Sequence, residues 1–93
     1  MRRTFGKIIT EIAKKDDKLF LLVGDIGYRM FDDFRKFFPN RFLNLGICEQ
    51  SLISIASGMA LEGIKPWVYT ITPFLIERPF EQIKLDIDQQ NVN

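Results

Sequence analysis

A chain of 93 residues gives room for one small domain, which buries a smaller share of its surface than a longer chain would. Hydrophobic residues make up 46% of it and include nine Phe, which excludes a disordered tail or linker and demands burial, within the chain or against a partner. Thirteen basic against twelve acidic residues leave a formal charge of +1 with no basic stripe, so neither nucleic acid nor an anionic membrane is an expected partner.

From Thr4, read as an N-cap, the residues Phe5, Ile8, Ile9, Ile12 and Ala13 recur at the spacing of one helical face, predicting an amphipathic helix that ends near Lys14 and Lys15. Leu19 to Val23 is an unbroken apolar run, as expected of a strand covered on both faces of a parallel sheet. It stops at Gly24-Asp25-Ile26-Gly27, a turn that sets the carboxylate of Asp25 just past the strand. Met30, Phe31, Phe34 and Phe38 predict a second helix, which Pro39-Asn40 breaks.

Phe42 to Leu45 reads as the second strand. Glu49 then opens a helix of small and apolar residues that closes near Glu62-Gly63, a C-cap signal. A third strand is predicted over Trp67 to Ile71, introduced by Lys65-Pro66, with Thr72-Pro73-Phe74 closing it. A last helix is predicted from Glu77 to about Gln90, with Pro79 in its first turn and Phe80, Ile83, Lys84 and Ile87 on one face. This alternation predicts an α/β fold, a three-layer α/β/α arrangement on a parallel sheet with right-handed crossovers. It is incomplete at the carboxyl end, where the alternation calls for another strand.

The inventory of side chains narrows the chemistry. With no His, the chain by itself offers no Ser-His-Asp or Cys-His pair and no His-ligated metal. Its one cysteine, Cys48, has no internal disulfide partner and reads as a small buried filler beside a carboxylate that disfavours the thiolate. The start lacks the apolar stretch of a secretory signal, and no run approaches the roughly 20 apolar residues that span a bilayer; a cytoplasmic protein is expected.

Parallel strands would bring Asp25, Glu49 and Phe74 to one sheet edge, where ligands of open α/β sheets sit. Each has a plain structural reading too. Glu49 in a first helical turn complements the helix dipole, worth roughly 0.3–1 kcal/mol, whereas in a dry, aromatic-lined pocket a carboxylate can exchange a proton with a heteroaromatic nitrogen. Position alone does not separate the two. Asp25 also reads as a turn residue bonded to its own backbone, and Phe74 as core. Gly24-Asp25-Ile26-Gly27 lacks the spacing of a dinucleotide loop.

Phe38-Pro39-Asn40-Arg41-Phe42 running on to Gly46-Ile47-Cys48-Glu49-Gln50 resembles the FPxRFxxxGIxEQ signature of the pyrimidine-binding domain in transketolases and 1-deoxyxylulose-5-phosphate synthases. The similarity continues through Ala56 to Gly63, Lys65-Pro66, Phe74-Leu75, Arg78, Phe80 to Ile83 and Asp86-Ile87, and the turn at Asp25 fits the family's ADLG-like turn. It covers nearly all of residues 1–93 but only the first half or so of that domain. The resemblance implies a thiamine diphosphate-binding fold. It implies that Glu49 hydrogen-bonds the N1′ nitrogen of the cofactor's aminopyrimidine and so promotes the ylid at the thiazolium, that Phe74 stacks on the pyrimidine, and that Asp25 lies near the thiazolium. Arg78 falls on a family arginine.

The resemblance also implies what must come from elsewhere. The GDG…N motif that holds diphosphate and Mg²⁺ is absent, so Mg would be held by another domain or subunit, and a dimer or larger oligomer completes the site. Ile71 stands where many relatives carry a second aromatic, and Cys48 where Ala is usual. The expected function is transfer of two-carbon ketol units in carbohydrate metabolism, as part of a transketolase-like enzyme. Alternatives are the β subunit of a 2-oxo acid dehydrogenase, a non-catalytic interaction module derived from this domain, and, more distantly, a flavodoxin-like binding domain.

Overall fold

The computed structural model describes residues 1–93. Helix α1 (Arg2–Lys15) leads to strand β1 (Leu19–Val23), helix α2 (Asp32–Phe37), a single 3₁₀ turn (Pro39–Arg41) and strand β2 (Phe42–Asn44). Helix α3 (Glu49–Leu61) and strand β3 (Lys65–Tyr69) follow, and then the short helices α4 (Thr72–Ile76) and α5 (Phe80–Gln82), the latter running into a π-helical stretch, Ile83–Asp88. The three strands form a parallel sheet in the order β2-β1-β3, with Val23 level with Asn44 on one side and Tyr69 on the other.

Strand β1 is apolar throughout because the sheet is covered on both faces. Leu19, Leu21 and Val23 point into a core shared with Ile9 and Ala13 of α1 and with Phe31 and Phe34 at α2. Leu22 points the other way, against Leu52 and Ala56 of α3, with Phe20 and Val68 packed beside them. This is the expected three-layer α/β/α architecture. The first core is mostly aromatic at its rim: Phe31 meets Tyr69 edge to face, with ring centroids 5.1 Å apart, and Phe34 meets Phe38 at 5.4 Å. Helix α1 approaches the loop before α2 so closely that a Cβ at Gly6 would collide with the Met30 carbonyl.

Several boundaries differ from the sequence reading. Thr4 is not an N-cap: α1 begins at Arg2, and the Phe5 amide donates to the Met1 carbonyl. The buried stripe of α1 is Gly6, Ile9, Thr10 and Ala13, while Ile8 and Ile12 lie on an exposed flank. Helix α2 is shorter than predicted and leaves Met30 and Phe31 in the preceding loop. Strand β3 starts two residues early, because the Lys65 amide already pairs with the Lys18 carbonyl. Pro66 is tolerated there because β3 is an edge strand.

The predicted last helix is the largest correction. Thr72-Pro73-Phe74 does not merely close β3 but starts α4, and Pro79, which has no amide hydrogen to donate, separates α4 from α5 instead of lying inside one helix. Phe80 is exposed, whereas Ile83 and Ile87 are half-buried as expected. Asp86, in the π-helical turn, accepts hydrogen bonds from α3: Ser54 Oγ donates to its carboxylate at 2.6 Å and Ser57 Oγ to its carbonyl.

The C-cap of α3 is as predicted. Gly63 has φ +84°, its amide donates to the Ala60 carbonyl and the Ile64 amide to the Met59 carbonyl, the paired bonds of a Schellman motif.

Candidate functional site

The chain leaves β1 to build β2 on one side, then crosses through α3 to build β3 on the other side of β1. Strand order reverses at β1, so a crevice opens at the carboxyl ends of the strands, bordered by the helices that lead away from them. Asp25, Glu49 and Phe74 all lie at this edge, in the segments that follow β1, β2 and β3.

Glu49 is the first residue of α3 and is 4% exposed, the only charged residue in the buried set. Cys48, at the N-cap, gives the helix no side-chain cap, and the Glu49 carboxylate has no partner within the helix. That carboxylate is met by Arg78, whose Nη1 donates to Oε1 and Oε2 at 3.4 Å each. This pair is lopsided, since the Arg78 side chain is 47% exposed, and it is long against the roughly 2.7–2.9 Å of a tight charge-assisted bond. The same guanidinium lies over Phe74, with Cζ 3.8 Å from the ring centroid. Phe74 is half-buried and belongs to neither core cluster. Glu49, Arg78 and Phe74 therefore form one connected group.

Asp25 is placed differently. Its φ is +54°, a left-handed conformation that Asp tolerates better than most residues, and it is held by Asn44 at the end of β2. Asn44 Oδ1 accepts the Asp25 amide at 3.0 Å and the Gly46 amide at 2.9 Å, while its Nδ2 donates to Asp25 Oδ1 at 3.3 Å. Asp25 opens onto a cleft of about 590 Å³ lined also by Arg2, Tyr28, Arg29, Arg35 and Asn44, but not by Glu49 or Phe74. The structure joins Glu49 to Phe74 and joins Asp25 to Asn44; no hydrogen bond links the two groups. No three of its acidic or Cys side chains converge as a metal-binding group. Cys48 is half-buried, its Sγ 3.0 Å from the Leu45 carbonyl.

Two residues of the site carry no strong signal in the sequence. Asn44 reads there only as the third residue of a short strand, and the position of an Asn where a strand ends is a weak hint of such a side-chain turn. Arg78 was identified by resemblance, but its partners depend on how the chain turns at Glu77–Pro79, where one continuous helix was expected.

The profile of the family described as "Transketolase, pyrimidine binding domain" matches residues 1–93. The chain belongs to this family. Among curated relatives, an uncharacterized 33.6 kDa protein in the fasciation locus of Rhodococcoides fascians is 39% identical over 92 residues, covering 99% of this chain and 30% of that protein. A 1-deoxy-D-xylulose-5-phosphate synthase of Clostridium perfringens is 38% identical over 90 residues, covering 96% and 14%. A putative transketolase family protein of Sinorhizobium fredii is 38% identical over 87 residues, covering 92% and 25%.

A solved structure described as a split gene transketolase, in an inactive β4 tetramer, matches with a TM-score of 0.83 at 36% identity, over 92% of this chain and 29% of that one. The chain thus spans 30% or less of each of these proteins. The fold of the chain is that of the transketolase pyrimidine-binding domain. No helix is long and apolar enough to cross a membrane.

Proposed function

We propose that this chain supplies the pyrimidine-binding part of a transketolase-like enzyme that transfers two-carbon ketol units, with Glu49 as its catalytic residue. The observation that carries the reading is the buried carboxylate of Glu49, which caps no helix and whose hydrogen bonds come only from a half-exposed arginine. A carboxylate serving only the helix dipole has no need to leave water. The donor set fits an aminopyrimidine: a buried acceptor for a ring N–H, beside an aromatic face of Phe74 already used for stacking by a planar group.

When bound, thiamine diphosphate supplies the thiazolium carbon that attacks a ketose or 2-oxo acid carbonyl. Glu49 would accept a hydrogen bond from the pyrimidine N1′ and hold a proton there, and Phe74 would fix the plane of the ring. Asp25, held by Asn44, would offer a second carboxylate at the same sheet edge. Diphosphate and Mg²⁺ are held by a separate domain or subunit in an oligomer, a reading supported by the split-gene description of the solved relative.

The test is a titration of thiamine diphosphate and Mg²⁺ into the chain mixed with a diphosphate-binding partner, followed by circular dichroism. Glu49→Gln should weaken binding about tenfold to a hundredfold, the worth of one charge-assisted hydrogen bond. Equal binding by the parent and Glu49→Gln, or no binding in any mixture, sinks the proposal and leaves the interaction-module reading.

A further inference from the structure

Arg78 makes two contacts with one planar group. Its Nη1 reaches both oxygens of buried Glu49, and the guanidinium plane covers Phe74 with Cζ 3.8 Å from the ring centroid. These are the two contacts that the proposed function assigns to the aminopyrimidine, a hydrogen bond into Glu49 and a stack on Phe74. One guanidinium makes both contacts, so the Phe74 face it covers lies within that group's reach of the Glu49 carboxylate. Guanidinium and aminopyrimidine are both flat and both present N–H groups at an edge, and they cannot share the same carboxylate and ring face.

We infer that Arg78 is a displaceable occupant of the pyrimidine place: in the free chain it neutralises Glu49 and covers Phe74, and an aminopyrimidine enters only as the guanidinium swings out. The inference rests on the reading of Glu49 and Phe74 given above. Three features make the occupant removable. The contacts to Glu49 are long, at 3.4 Å. Arg78 is already 47% exposed, so water lies next to it. It stands in the turn between α4 and α5 and is not locked in a helix. Without an occupant, Glu49 would be a buried charge with no partner, which the fold would resist. The cofactor would therefore bind by exchange, with an apparent affinity equal to its intrinsic affinity multiplied by the fraction of chains in which Arg78 has left.

The probe is hydroxymethylpyrimidine, the aminopyrimidine half of thiamine, titrated calorimetrically into the 93-residue chain. Arg78→Ala should bind it about five- to thirtyfold tighter than the parent, since the competing state is gone. Arg78→Lys keeps a cation for Glu49, and with it the fold, but lacks the plane that covers Phe74; it should bind with intermediate affinity, and it decides the question if Arg78→Ala does not fold. Glu49→Gln should weaken binding about tenfold to a hundredfold, as it does for the whole cofactor.

A ligand-free readout is a urea-unfolding cycle of Glu49→Gln, Arg78→Ala and the double variant, in which the two changes should be coupled by about fivefold or more in the unfolding equilibrium. Binding that needs Glu49 but is equal or weaker in the Arg78 variants overturns the occupant role and leaves the proposed function standing, as does an additive cycle. Binding that ignores Glu49→Gln, or none by any variant, overturns the pyrimidine reading and the occupant with it.

Discussion

Arg41→Met retains a long apolar stem and removes the guanidinium fork, and the structure gives the size of the loss. Arg41 Nη2 donates to the Ala13 carbonyl at 3.0 Å and Nη1 to the Asp16 carbonyl at 2.9 Å, at and just beyond the end of α1. A third contact, to the Leu19 carbonyl at 3.5 Å, is at the limit of a hydrogen bond and counts for little. Cζ also lies 4.0 Å from the Phe38 ring centroid. Each good bond from a partly buried cation contributes about 1–1.5 kcal/mol, and the aromatic contact about 0.5–1 kcal/mol. The sum is about 3 kcal/mol, set against roughly 5–14 kcal/mol for a domain of this length. Urea unfolding, followed by far-ultraviolet circular dichroism and Trp67 fluorescence, should show the midpoint falling by about 1–3 M with an unchanged slope. Arg41→Lys should recover less than half, because one ammonium cannot span both carbonyls. A loss under about 0.5 kcal/mol would refute the reasoning, showing that these carbonyls are served equally well by water.

Two smaller effects follow from exposed contacts. Asn44→Ala removes two side-chain bonds that join the end of β2 to Asp25 and one local bond to Gly46; being exposed, they contribute about 1 kcal/mol together, and amide exchange should speed up at both Asp25 and Gly46. Unchanged exchange at those two amides would show that the clip does not hold the loop. Asp16 is held below its ordinary value of 3.8, first by the Lys65 ammonium 2.7 Å away and then by the Lys18 amide. A carboxyl depressed in the folded state adds stability that is present above the ordinary value and lost as pH falls through the folded one. Asp16→Asn should accordingly lower the melting temperature slightly at pH 7 and not at all near pH 2; a difference that persists in acid would assign the effect to something other than the charge.

Much of this architecture was legible because its strands obey simple rules. Leu19 to Val23 is apolar at every position since both faces of β1 are covered, and the run matches the observed strand residue for residue. The start of α3 at Glu49 and the stop at Gly63, just past its end, follow from a break in apolar patterning and a residue that needs positive φ. The carboxyl-terminal third departs from its periodicity where that competes with backbone chemistry. Pro79 fits the first turn of a helix as well as the gap between two, and only the path of the chain decides. Thr4 is a good cap by type, but the helix already had its first turn from Arg2.

The signature itself divides into two roles that its letters do not reveal. Phe38 and Arg41 tie α1 to the sheet, whereas Glu49 carries the candidate chemistry. Glu49 and Phe74 could be placed at one edge from parallel strands alone. Their link through Arg78 could not, since it depends on a side chain crossing from a turn that the periodicity had placed inside a helix.

The two serines of α3 bound to Asp86 constrain how such a link can open. Ser54 and Ser57 fasten α3 to the π-helical stretch, and Glu49 begins the first of these elements while Arg78 lies one residue, Pro79, before the α5 segment leading into the second. The two helices are stitched into one body, so pulling them apart would break those bonds as well. The remaining freedom lies in the arginine's own torsions. Uncovering Glu49 then takes a side-chain swing on the fast timescale of rotamer exchange, with the scaffold standing still, and not a slow hinge of the domain.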